Sequence, residues 1–285
     1  MNCHEFLCCG ARVRICNNKI EVLSDPAVKY CPYVEAVYKV KNISRSKVKE
    51  IVKFKMEKYG FCSSSRCFYD KLVVPFGSSE IISTCMREGL LDCAVTVCEG
   101  AGTVISWNSS LVQGIGARLN GIISTSPINE VINYIEGNGG KVLDKKNAII
   151  NQVDGVKLAI SMGFKRIAVT IIGLSAHEIS IIRSIEERHE NIRIAIFSTC
   201  NTLVKESDIL HLMKADYVCA SASKIIREKI GPKAILQLGV SIPVFILTKF
   251  GKKLALTYLN KLEIPIVVFR ARMPYIVEDK QPIIA

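Results

Sequence analysis

"VCEGAGTVISW" (residues 97–107) sets an acid and two closely spaced glycines at the end of a strand-like run, and its reading decides the fold. A dinucleotide fingerprint needs its third glycine at the start of a helix. Here Thr103, Val104, Ile105 and Trp107 follow, and these favour extended structure. The stretch is therefore not a Rossmann loop. No GxxxxGK[ST] segment occurs elsewhere, so classical ATP binding has no support.

Outward from this point, helix and strand patterns alternate from Pro75 onward. Residues 77–88 read as a helix stopped by Gly89 and followed by LLDCAVTVC; residues 153–162 read as a helix stopped by Gly163 and followed by FKRIAVTII. Next come a helix opening with the capping-box spacing Ser175 to Glu178, the strand IRIAIFST, a helix around 205–213, the short strand DYVCA, a helix from about Ser223 to Lys229, and VSIPVFILT. Pro243 cannot donate to a ladder, which predicts an edge position for that last strand. Continuous apolar strands separated by helices predict an α/β fold: an open, mainly parallel sheet covered by helices on both faces.

Before Pro75 the pattern differs. ARVRICNNKIEVL (11–23) predicts a β-hairpin turning at Asn17-Asn18. In residues 44–59, Val48, Ile51, Val52, Met56 and Tyr59 recur at helical spacing, with Lys47, Lys49, Lys53, Lys55 and Lys58 forming a solvated basic face. The expected division is an N-terminal hairpin-plus-helix region over 1–75 and an α/β domain over 76–285.

The chain has 285 residues, 49% of them hydrophobic, enough to bury a sizeable core. No apolar run reaches the roughly 18 residues of a spanning helix, and the start lacks a signal peptide's pattern, so a cytoplasmic protein without a membrane span is expected. The net charge of +12 favours an anionic partner. Nucleic acid ranks last among such partners, because aromatics for base stacking do not interleave with the basic residues. Twelve cysteines in a chain with no export signal predict free or metal-bound thiols rather than a disulfide scaffold.

In a parallel sheet, ligands bind at the carboxyl ends of strands, beside helix amino ends that attract anions. That rule singles out Glu99 as the candidate proton-transfer residue, with a surface acid as the plainer alternative. Tight turns explain the glycine clusters at 100–102 and 111–121. If they instead cradle a small anionic cofactor or precursor, the contacts would be Gly100, Gly102, Thr103, Gly114 and Gly116, with Ser221, Ser223 and Lys224. Of the cysteines, Cys31, Cys62, Cys98 and Cys219 sit beside turn signals and are the candidate ligands of an iron–sulfur cluster or other thiolate-bound metal. Without a CxxC pair, buried hydrophobes remain the alternative. The four histidines form no Ser–His–Asp or Cys–His arrangement.

Several ordered blocks resemble the archaeal family called methanogenesis marker protein 8. They are YCP (30–32), GFC (60–62), FGSSE (76–80), EGLLDCAVTVCEGAGTV (88–104), LVQGIGARLNGIISTSP (111–127), QVDGVKLAISMGFKRIAVT (152–170) and CASASKIIRE (219–228). The resemblance implies a place in the gene set that accompanies methane formation, with methanogenesis enzymes or their assembly factors as partners. Cys3, Cys8 and Cys9 lie outside the family pattern and are left out of the expected site. Residues 88–92 and 123–127 are more faintly similar to deazaflavin-reducing hydrogenase beta subunits, which would imply flavin or deazaflavin binding. That family's CxxC cluster motif is absent here.

Overall fold

The computed structural model describes residues 2–69, 71–117 and 120–284. Arg118 and Leu119, within the 111–121 glycine cluster, lie outside the described residues. The chain opens with β1 (Cys3–Cys8), β2 (Ala11–Cys16) and β3 (Lys19–Val22). Asn17 and Asn18 both take positive φ, 48° and 64°, as a two-residue turn matched to strand twist requires. After β4 (Val28–Tyr30) come α1 (Pro32–Tyr38) and α2 (Arg45–Tyr59), the latter capped by Ser44 accepting from the Lys47 N–H.

The α/β part follows with α3 (Ser78–Arg87), β5 (Cys93–Cys98), β6 (Gly102–Ser106), α4 (Ser109–Gly116), β7 (Gly121–Thr125), α5 (Asn129–Gly137), β8 (Gly140–Val142), α6 (Gln152–Ser161) and β9 (Arg166–Ile172). It continues through α7 (His177–Glu187), β10 (Arg193–Thr199), α8 (Ile209–Leu212), β11 (Tyr217–Cys219), β12 (Leu236–Leu238), β13 (Val244–Ile246), α9 (Lys249–Asn260) and β14 (Ile283–Ile284). The main sheet runs β12-β13-β11-β10-β9-β5-β6-β8, with β5, β9, β10 and β11 parallel and the flanking strands antiparallel. The mainly parallel α/β sheet read from the sequence is thus present. VCEGAGTVISW forms the β5–β6 hairpin.

Ala94, Ala168 and Ala195 are aligned across β5, β9 and β10. They pack with Ile81, Ile82, Leu254 and Tyr258, so this flat row lets α3 and α9 approach one face. The neighbouring row, Val95, Val169 and Ile196, packs with Val156, Ala159, Ile179 and Ile182 of α6 and α7 on the other face. Small residues recur in these strands because they share a row of one sheet.

Three local expectations need correction. β13 is not at an edge, for it pairs with both β11 and β12; Pro243 lies just before the strand, which starts at Val244, and its carbonyl accepts from the Ala220 N–H. Ser175 does not cap a helix: Gly173–Ser175 form a 3₁₀ turn, α7 starts at His177, and the Glu178 carboxyl accepts from the Gln152 backbone. Nor do all thiols stay free. Cys3 and Cys16 face each other across β1 and β2, with Cα atoms 4.2 Å apart, and form a disulfide.

The N-terminal hairpin does not stand apart from the rest. β1 also pairs with β7, giving a second sheet, β3-β2-β1-β7. This sheet packs on α2 through Phe6, Val13, Ile15, Val48 and Val52. After α9 the chain returns along the surface. The Tyr275 N–H donates to Gln237 Oε1, the Gln281 side chain donates to the Val240 carbonyl, and β14 pairs with β4. No helix of the described residues is long and apolar enough to cross a membrane.

Candidate functional site

Between the carboxyl ends of β5, β9, β10 and β11 and the second sheet lies a cavity of about 860 Å³. Its floor includes Thr96, Thr170, Cys200 and Cys219 from the parallel strands and the loops after them; its roof includes the β1–β2 turn and β7. A ligand pocket is expected at this edge of a parallel sheet, and the volume suits a cofactor-sized molecule.

Five thiols line the cavity: Cys8, Cys9, Cys31, Cys200 and Cys219. Cys9 and Gly10 form the two-residue turn between β1 and β2, with φ of 52° and 74°. Cys200 and Ser221 also take left-handed φ, 52° and 50°, at the ends of β10 and β11. Non-glycine residues seldom adopt this region, and such strain collects at binding sites. The Ser221 hydroxyl accepts from the Asn201 N–H, fixing the loop that presents Cys219.

The thiols differ in their electrostatics. A hydrogen bond from Cys9 pulls the Cys8 thiol below its ordinary range against the opposing effect of burial, and the Lys55 ammonium and Asn120 act in the same direction. Cys9, the donor of that bond, is pushed far up, with burial adding to the effect. Burial raises Cys31 and Cys219, and drives Cys200 up to about 11. Lys55 also lines the cavity; burial lowers its pKa and the charge of Cys8 opposes this. It was expected on a solvated face, yet it falls four residues after Ile51 and seven after Val48, on the apolar stripe of α2. That spacing was the available signal.

Of the expected metal ligands, Cys31 and Cys219 reach the cavity. Cys62 is buried among Phe6, Phe61 and Val97, and Cys98 among Val104, Ile115 and Ile132; neither lines the cavity. Among the described residues no three His, Cys, Asp or Glu side chains are placed to hold a metal ion. The four thiols therefore do not fit an iron–sulfur cluster. Cys8 and Cys9, set aside on family grounds, line the cavity with Cys31, Cys200 and Cys219.

Glu99 is sealed in the interior. Its Oε1 accepts from Arg66 Nε at 2.8 Å, with the two side chains 1% and 3% exposed. Arg66 also donates to the carbonyls of Cys67, Gly114 and Ile115, tying the 62–68 loop to β5 and α4. This makes Glu99 a structural anchor in the geometry seen here. Gly100 donates to Thr125 Oγ1, and Gly102 passes close to the Ala148 carbonyl. Thr103 bonds Gln152 and Asn151, and Gly114 packs on Phe68. Ser223 accepts from the Ile226 N–H, and Lys224 lies at the surface with Glu228. Of the eight expected anion contacts, Gly116 and Ser221 line the cavity.

Glu178 lines the cavity as well, and desolvation raises its pKa. Its Oε2 and the Oγ1 of Thr96, a residue 4% exposed, have no hydrogen-bond partner among the described residues.

Residues 4–260 match the family described as "Uncharacterized protein conserved in archaea (DUF2099)". The chain is also 37% identical over 273 residues, 95% of each sequence, to "Uncharacterized protein MJ0054" of Methanocaldococcus jannaschii.

Proposed function

Because the chain belongs to this archaeal family, we propose that it serves methanogenesis as a cytoplasmic accessory protein, holding a cofactor-sized ligand that bears or reacts with thiols. The observation that carries this reading is the convergence of five cysteines on one cavity at the carboxyl edge of the sheet. The methanogenic setting is supported by the ordered blocks at 88–104, 111–127, 152–170 and 219–228 and by the Methanocaldococcus relative. Much of the lining is aliphatic or aromatic, including Val28, Tyr38, Ile51, Phe76 and Ile172, and suits a ligand with a sizeable apolar part. A heavily phosphorylated ligand suits it less well: Lys55 is the one Lys or Arg among the described lining residues, against the carboxyls of Glu80 and Glu178.

Anaerobic purification from a methanogenic host, with native mass spectrometry and elemental analysis, tests this reading. A bound small molecule released on unfolding and retained poorly by Cys219→Phe is the expected result. A flavin or deazaflavin would declare itself by absorbance. Protein recovered without any such molecule, and not stabilised by the thiol fraction of a host extract, would overturn it.

A further inference from the structure

We propose that the cavity contains a carboxylate subsite at the amino end of α3, completed from the sheet by the Thr96 hydroxyl, so that its ligand carries a carboxylate beside its apolar part. This deepens the ligand-site reading and rests on it. α3 leads into β5 through the turn at Gly89 and lies back along that strand, with Ala94 packed against Ile81 and Ile82. Thr96 stands two residues further along β5, on the same face, and Ser78 stands one turn before Ile82. Strand and first helical turn therefore meet at the chamber, which Gly77, Ser78, Ser79 and Thr96 all line.

Two independent features point to an oxyanion there. Gly77 at the N-cap offers no side-chain acceptor, so the first-turn N–H groups of this ten-residue helix open uncapped on the chamber, where they attract negative charge. Thr96 is 4% exposed, and its Oγ1 has no hydrogen-bond partner among the described residues. A buried hydroxyl left unpaired is unfavourable, and a bound acceptor removes that penalty. The Glu80 carboxylate does not fill the place. It is held by the Val73 and Val74 N–H groups, Gln113 Nε2 and the Ser79 hydroxyl, which spread its charge. Glu178 Oε2, also unpartnered on the chamber wall, is itself an acceptor and repels an anion. The Lys55 ammonium adds positive charge to the lining.

The test uses the full chain, purified reduced and anaerobically, with octanoate as the probe and 1-octanol as its neutral counterpart, each titrated calorimetrically near pH 7. An apolar chamber without the subsite would prefer the alcohol, which loses less hydration on entry. Octanoate should instead bind about tenfold more tightly, as one hydrogen bond to a charged group accounts for. Thr96→Val should weaken octanoate about tenfold and leave octanol binding as it was. The thermal melt of ligand-free Thr96→Val should stay the same or rise, because the hydroxyl removed has no partner. Ser78→Pro should also weaken octanoate. Proline at the first helical position keeps the helix and removes one N–H, and Gly77 already holds the extended backbone, φ −70° and ψ 152°, that a residue before proline takes. Octanol binding as tightly as octanoate to the parent, or octanoate affinity unchanged in either variant, would overturn the subsite and leave the chamber standing as a ligand site. A lowered melt of ligand-free Thr96→Val would assign the hydroxyl to the fold and overturn it too. If neither probe binds, the chamber is closed to ligands and both readings fail.

Discussion

Arg66 makes four hydrogen bonds from the interior, one to the Glu99 carboxylate and three to carbonyls of Cys67, Gly114 and Ile115. Arg66→Met leaves a buried carboxylate and these carbonyls without their donor, and should cost about 3–5 kcal/mol in urea denaturation. Adding Glu99→Leu should recover part of that loss, because the uncompensated charge goes with it. The sequence drew attention to Glu99 by its place at a strand tip. It carried no sign that Arg66, 33 positions earlier in a loop, would neutralise it. His4 gives a second prediction. Its Nδ1 lies 2.6 Å from Thr125 Oγ1, and desolvation lowers its pKa from 6.5 to about 4. The unfolded chain takes up a proton near pH 6.5, while the folded chain holds off until about pH 4. Stability present above pH 6.5 is therefore lost as the pH falls toward 4, by about 3 kcal/mol in all. His4→Gln should flatten that part of the pH–stability curve measured by chemical denaturation.

At the scale of elements, Gly102 turns the β5–β6 hairpin at φ +72°, and an added Cβ would lie 2.2 Å from the Ala148 carbonyl oxygen. Backbone blocks the space and the conformation disfavours any side chain, so Gly102→Ala should cost more than about 2 kcal/mol, read as a lower urea midpoint. The hairpin and the Asn17-Asn18 turn were legible because local chemistry specifies them: β-branched residues in one, two residues tolerant of positive φ in the other. The glycines of α4 were not. Gly116 is small because Ser79 of α3 passes 2.3 Å from where its Cβ would stand, and a helix–helix approach leaves no mark on its neighbours in sequence. The same limit misplaced Pro243, since its neighbours across the sheet decide whether its strand is internal. Lys55 is the reverse case, where helical spacing did carry the answer and its charge concealed it.

For the whole molecule, the parallel sheet could be read from alternating helices and strands, but the pairing of β1 with β7, more than a hundred residues apart, could not. That pairing roofs the cavity and brings Cys8 and Cys9 over the strand ends, which is why these two of the five thiols were missed. The Cys3–Cys16 disulfide braces this roof. Its reduction should lower stability by up to about 3 kcal/mol, as expected for a short closed loop, and Cys16→Ser should match the reduced protein in a thermal melt. The chain after α9 returns along the surface to pair β14 with β4. It lies beyond the segment 4–260 shared with the family, yet Pro282 stands in the cavity wall beside Cys31. Part of the wall thus comes from outside the family segment, and proteins with identical cysteines can offer a guest differently shaped chambers. Grafting the relative's segment in place of 261–285 should change which molecule co-purifies while the sheet's circular dichroism stays as it was.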